Sequence, residues 1–132
     1  MIVDTGVLFA LADRSDRNHG AATATFAMPE PKIVPEPVVV EADWLIRRYL
    51  GFAVELSFLR ALSEGTLVVE SPVPADRSRA AELVAGDPEL TYVDATVVAM
   101  AERLKDGRIA TLDRQRFGPV AERRPGTLEL IP

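Results

Sequence analysis

The sequence predicts an α/β fold with a mainly parallel central sheet covered by helices on both faces. Three observations carry that prediction. Short β-branched runs alternate with helical patterns along 132 residues, and apolar residues make up 48% of the chain. Four acidic residues, Asp4, Glu41, Asp94 and Asp113, fall where strand-like runs end or helical patterns begin. Strands separated by helices pair in parallel, and a sheet buried on both faces needs a large apolar fraction. The length suits one domain over residues 1–132.

Residues 1–3 read as a short strand ending at Asp4, and residues 6–12 continue as a buried turn and helix. A polar loop over 13–18 precedes an Ala-rich helix over 19–26, stopped by Pro29 and Pro31. Residues 32–40, with Pro35 and Pro37, read as mixed strand and turn. Over 39–50 apolar residues recur at helical spacing, with Val40, Trp44, Leu45 and Tyr49 on one side, Glu41 in the first turn and Gly51 near the end. A helix over 53–62 stops at Gly65, before a β-rich run over 66–69. An amphipathic helix over 74–85 leads to the turn Gly86-Asp87-Pro88. The clearest helix spans 93–105, with Val97, Val98, Ala101 and Leu104 as its apolar stripe and Asp94 at its start. Gly107 closes it, a strand over 108–112 ends at Asp113, and a last strand spans 127–131.

Composition narrows the chemistry. With no cysteine and the single histidine His19, the chain lacks the soft ligands of an ordinary zinc centre and has no disulfide framework. The net charge of −5 argues against broad attraction to nucleic acid and leaves room only for local basic patches. No apolar run approaches the roughly 18 residues of a membrane span, and no basic n-region precedes the apolar start, so a cytoplasmic protein is expected.

Each acid has a structural explanation of its own. Asp94 suits an N-cap, Asp113 a turn or cap, Asp4 a strand-end turn and Glu41 a first helical turn. Topology changes the weighing, because ligands in parallel sheets bind beyond the carboxyl ends of the strands, where all four acids can meet. Four convergent carboxylates repel one another without a cation, and an all-oxygen set suits Mg²⁺ or Mn²⁺. The chemistry implied is metal-assisted hydrolysis of a phosphate ester.

The segments Met1-Ile2-Val3-Asp4-Thr5-Gly6-Val7-Leu8, Val40-Glu41-Ala42, Val93-Asp94-Ala95 and Thr111-Leu112-Asp113-Arg114 resemble, in order and placement, those of the PIN-domain ribonucleases, within them the VapC-type toxins of bacterial toxin–antitoxin pairs. That resemblance implies a PIN-like domain, an RNA substrate, a metal site of Asp4, Glu41, Asp94 and Asp113, and supporting hydroxyls from Thr5 and Thr111. It also implies a cognate antitoxin and self-association into a homodimer. Arg14, Arg47, Arg48, Arg114 and Arg116 are the first candidates for phosphate contacts. Some relatives carry a further acid where this chain has Gln115 and Arg116, which bears on how many metals are held.

The bulky groups Trp44, Ile46, Tyr49, Phe52, Phe58 and Leu59 are read mostly as packing groups, with any surplus offered to a partner helix. Two other enzyme classes place carboxylates at parallel strand ends. A dehalogenase-like phosphatase wants an aspartate where Gly6 stands, and a phospho-receiver wants an acidic pair before the end of the first strand. An inactive PIN-like binding module is the non-enzymatic alternative.

Overall fold

The computed structural model describes residues 1–132. Strands and helices alternate as β1 (Ile2–Val3), α1 (Thr5–Ala12), α2 (His19–Ala27), β2 (Ile33–Pro35), α3 (Glu36–Leu50), α4 (Phe52–Ser63), β3 (Val68–Glu70), α5 (Pro74–Gly86), α6 (Tyr92–Arg103), β4 (Arg108–Ala110), α7 (Arg114–Glu122) and β5 (Glu129–Ile131). The strands form one sheet in the order β3-β2-β1-β4-β5, and every pairing is parallel. β1 lies at the centre, with Ile2 opposite both Ile33 and Ile109, and Val3 opposite Ala110. Met1, Ile2 and Val3 are fully buried, as a central parallel strand packed on both faces requires.

The direction of each crossover determines the layers. β1 to β2 and β2 to β3 step one way across the sheet, whereas β3 to β4 and β4 to β5 step the other. With right-handed crossovers, the helices α1 to α4 cover one face and α5 to α7 the other. The reversal falls between β1 and β4, and such a reversal opens a crevice beyond the carboxyl ends of the two strands. Asp4 follows β1 directly, and Thr111 follows β4.

α6 is the most enclosed helix, with residues 94–101 all buried. Its alanines let the backbone approach the sheet, and Val97, Val98 and Met100, each fully buried, contribute about 1.5–3 kcal/mol apiece. Asp76, buried in the first turn of α5, fixes that helix against the end of α6. Its Oδ2 accepts from Val73 N at 2.8 Å, and Arg103 Nε donates to its Oδ1 at 2.8 Å.

Three features depart from the pattern read in the sequence. α3 begins at Glu36, because Pro37 sits in its first turn, where a missing N–H leaves no helical bond unmade. Glu41 therefore lies in the second turn, and Glu36 is the acid of the first. The buried face of α3 is formed by Val38, Val39, Ala42 and Ile46, while Val40, Trp44 and Tyr49 stand 63, 62 and 65% exposed. A run of three valines has no helical phase of its own, which is why the apolar side is ambiguous in the sequence. Ile46 and Phe58 join the core, whereas Phe52 and Leu59 are exposed. The third departure is α7, hidden in the sequence by Gly118 and Pro119. Asp113 starts this helix by accepting from Arg116 N at 2.9 Å, and the chain continues through Pro119 to Glu122.

Gly107 is required by a close approach, since a Cβ there would lie 2.1 Å from the carbonyl oxygen of Thr127. Gly107→Ala is expected to lower stability by about 1–3 kcal/mol in urea unfolding, because β4 and the segment before β5 must separate.

Candidate metal centre

The site is built outward from Asp4. It occupies the N-cap position of α1 but makes no side-chain cap hydrogen bond. Its Oδ2 instead accepts from Thr111 Oγ1 at 2.8 Å, across the crevice between β1 and β4. The backbone holds the two strand ends together, with Asp4 N donating to Ala110 O at 2.9 Å. Asp4 is 5% exposed. Burial raises its pKa from 3.8 to about 6, against the hydrogen bonds from Thr111 and the Thr5 backbone and reinforced by the charges of Asp94 and Glu41.

Asp94 is not the N-cap of α6. Thr91 is, and Asp94 is the third helical residue of a capping box. Asp94 Oδ2 accepts from Thr91 N and Thr91 Oγ1, each at 2.9 Å, and from Arg116 Nη1 at 3.3 Å. All of these bonds fall on one oxygen, where Arg116 competes for the same lone pairs as any incoming cation. Glu41 projects half-buried from α3 with no hydrogen bond, and its charge is felt at Asp4.

Asp113 stands apart from this group. It caps α7, its side chain is 41% exposed, and its Oδ2 lies 3.6 Å from Arg116 Nε. It is not among the charges that act on the Asp4 carboxyl. Thr111 links the two acids, since its Oγ1 donates to Asp4 and accepts from Asp113 N at 3.0 Å. Thr5 is buried beside Asp4, and its Oγ1 has no hydrogen-bond partner.

Of the five arginines proposed from the sequence, the structure brings Arg116 alone to the carboxylates. Arg114 Nη2 donates to the carbonyls of Leu130 and Pro132. Arg47 pairs with Glu55 and lies 5.1 Å from the Phe52 ring, Arg48 lies 5.9 Å from the Tyr49 ring, and Arg14 borders an apolar groove between α1 and α4. Two residues not singled out in the sequence matter here. Thr91 orients Asp94, and Glu89 lines a cleft with Asp113, Gln115 and Arg116. The spacing Thr91-x-x-Asp94 is a capping-box signature that makes Thr91 legible without coordinates.

No three His, Asp or Glu side chains converge tightly enough to form a closed metal cage. The donor set nonetheless fits a hard, well-hydrated cation. Magnesium is commonly held by one or two carboxylates, with water and substrate oxygens completing the shell. Asp4 sits within electrostatic range of Asp94 and Glu41, and the orphaned Thr5 hydroxyl offers one more oxygen at the same edge.

A family model for the PIN domain matches residues 1–122. The chain is 31% identical over 135 residues to ribonuclease VapC26 of Mycobacterium tuberculosis (strain ATCC 25618 / H37Rv), and the alignment covers all of both proteins. Among solved structures, Mycobacterium tuberculosis VapC20, described as a sarcin–ricin loop cleaving toxin, superposes with a TM-score of 0.83. That match has 22% identity and covers 99% of this chain and 98% of that one, so it bears on the fold. The family match selects the PIN reading over the phosphatase and receiver alternatives. No helix is long and apolar enough to cross a membrane.

The buried Asp4 has a signature in stability. Between pH 3.8 and about 6 the folded metal-free protein keeps the Asp4 proton, which the unfolded chain has released. Its stability is therefore expected to fall as pH rises through that window, by up to about 3 kcal/mol, and to level off above it. Urea midpoints across this range check the slope. Asp4→Asn should remove this component, and Asp113→Asn, at an exposed position, should leave it in place.

Proposed function

The chain belongs to the PIN-domain family, among its VapC-type ribonucleases, and on that premise we propose that it is a Mg²⁺- or Mn²⁺-dependent endoribonuclease, the toxin of a bacterial toxin–antitoxin pair. The observation that carries this reading is the buried Asp4 carboxylate at the crevice between β1 and β4, within the fields of Glu41 and Asp94. Asp4, Glu41 and Asp94 would hold the cation, with Asp113 at the rim of the site. Residues 1–132 act as one catalytic unit, because β5 completes the sheet against β4.

When bound, the ion neutralises charge on the scissile phosphate and lowers the pKa of a water so that it can attack near neutral pH. The chain's own groups do the rest. Thr111 holds the Asp4 carboxylate in one orientation, and Thr91 does the same for Asp94. The N-terminus of α6 favours negative charge around Asp94. Thr5 Oγ1, buried beside Asp4 and lacking a protein partner, is left to hydrogen-bond a water at that edge. Above the pKa of Asp4, near 6, its carboxylate is available as a ligand, so proton and metal compete below that pH.

Two apolar surfaces fit the expected protein partners. A groove of about 520 Å³ between α1 and α4, lined by Leu8, Leu11, Phe26, Val54 and Phe58, suits an amphipathic antitoxin helix. Beside Glu41, Pro37, Val40 and Trp44 of α3 meet Tyr92 and Val93 of α6 in a second, largely apolar cleft. That exposed face suits a second copy of the chain. A cytoplasmic site of action fits an RNA substrate.

Cleavage of total RNA is expected with Mg²⁺ or Mn²⁺ and to cease on chelation, and activity persisting in excess chelator contradicts the metal mechanism. Asp4→Asn, Glu41→Gln and Asp94→Asn should each lower cleavage at least about a hundredfold, the equivalent of about 2.7 kcal/mol of barrier. Asparagine at 94 retains an oxygen for Thr91, so α6 keeps its cap and the loss reports on charge. Sedimentation should give a dimer for the wild type and a shift towards monomer for Trp44→Ser.

A further inference from the structure

We propose that Arg116 is an internal counter-cation for the carboxylates of Asp94 and Asp113, and that a metal ion must displace it to bind. The inference rests on the metal-site reading above and goes beyond it in assigning the competitor. Asp94 is 4% exposed, and an ionised carboxylate so enclosed is stabilised by a positive charge in contact with it. The cation in contact with it is Arg116, with Nη1 at 3.3 Å from Asp94 Oδ2 and Nε at 3.6 Å from Asp113 Oδ2. One guanidinium thus bridges an acid of α6 and the cap of α7.

The bridge is built to open. Neither contact is a close bidentate pair, and the Arg116 side chain is 45% exposed. Its backbone is fixed independently, because Arg116 N donates to Asp113 Oδ1 at 2.9 Å as part of the α7 cap. The side chain can therefore leave while the helix stays. A cleft of about 490 Å³, lined by Glu89, Asp113, Gln115 and Arg116, receives it. A divalent ion at Asp94 repels a guanidinium bound to the same carboxylate, so the two occupy the site alternately. The buried charge is compensated in both states.

Arg114 supplies the control. It lies on the same helix and carries the same charge, but its guanidinium is bound to the carbonyls of Leu130 and Pro132. Removing it changes the general field and leaves the competition intact.

Calorimetric titration with Mg²⁺ compares the wild type with Arg116→Gln, Arg114→Gln and Asp94→Asn. Because the Arg116 end of the pair is 45% exposed, the expected tightening in Arg116→Gln is about fivefold. Arg114→Gln should change the affinity less than about twofold. In the wild type, the Arg116 Nε–H resonance should shift on Mg²⁺ addition while that of Arg114 does not, a readout that requires no variant to fold. Unchanged or weaker Mg²⁺ affinity in Arg116→Gln, equal tightening in both arginine variants, or an unmoved Arg116 resonance overturns the exchange. If wild-type binding is lost in Asp94→Asn but not tightened in Arg116→Gln, the exchange alone falls. If the wild type binds no Mg²⁺, or binds it equally in Asp94→Asn, the metal-site reading falls and the exchange with it.

Discussion

A carboxylate buried at the carboxyl end of the central strand is the constraint on which the rest of the structure turns. Burying an ionised group is costly unless hydrogen bonds and opposite charge meet it. For Asp4 the hydrogen bond comes from Thr111 at the end of β4, which reaches it only because β1 and β4 run parallel with Val3 opposite Ala110. An antiparallel neighbour would present the other end of its strand. The opposite charge does not come from the chain, since the groups acting on Asp4 beyond its hydrogen bonds are two further acids. The cation proposed for this site would answer that imbalance.

The supporting acids sit on rigid elements. Asp94 belongs to the most enclosed helix of the fold and is held by its own capping box. Asp76 and Arg103 lock the other end of that helix to α5, so its axis has little freedom to tilt. Glu41 is different, half-buried on α3 with no hydrogen bond, and Asp113 is more exposed still. The site grades from a fixed interior pair to an adaptable rim, which suits an ion that exchanges waters while a substrate enters.

Much of this was legible in the residues. The strand–helix alternation implies the parallel sheet, and acids at element ends mark its carboxyl edge. The inward face of α3 was not legible, because the valines at 38, 39 and 40 fit either phase and only the sheet decides between them. The start of α3 was obscured by Pro37, which breaks a helix interior but suits a first turn. α7 was hidden by Gly118 and Pro119, although Asp113 followed three residues later by Arg116 forms its cap. The link between Asp94 and Arg116 depends on how α6 and α7 come together, and residues 22 apart carry no local signal of contact.

The most direct test is anomalous diffraction from crystals soaked in Mn²⁺. A metal centre at the crevice between β1 and β4 predicts one strong peak within coordination distance of Asp4 and Asp94 oxygens, near the roughly 2.1 Å typical of a small hard cation. That peak should be absent in Asp4→Asn crystals soaked identically. A peak elsewhere on the surface, or one at the crevice that persists unchanged in Asp4→Asn, would contradict the account.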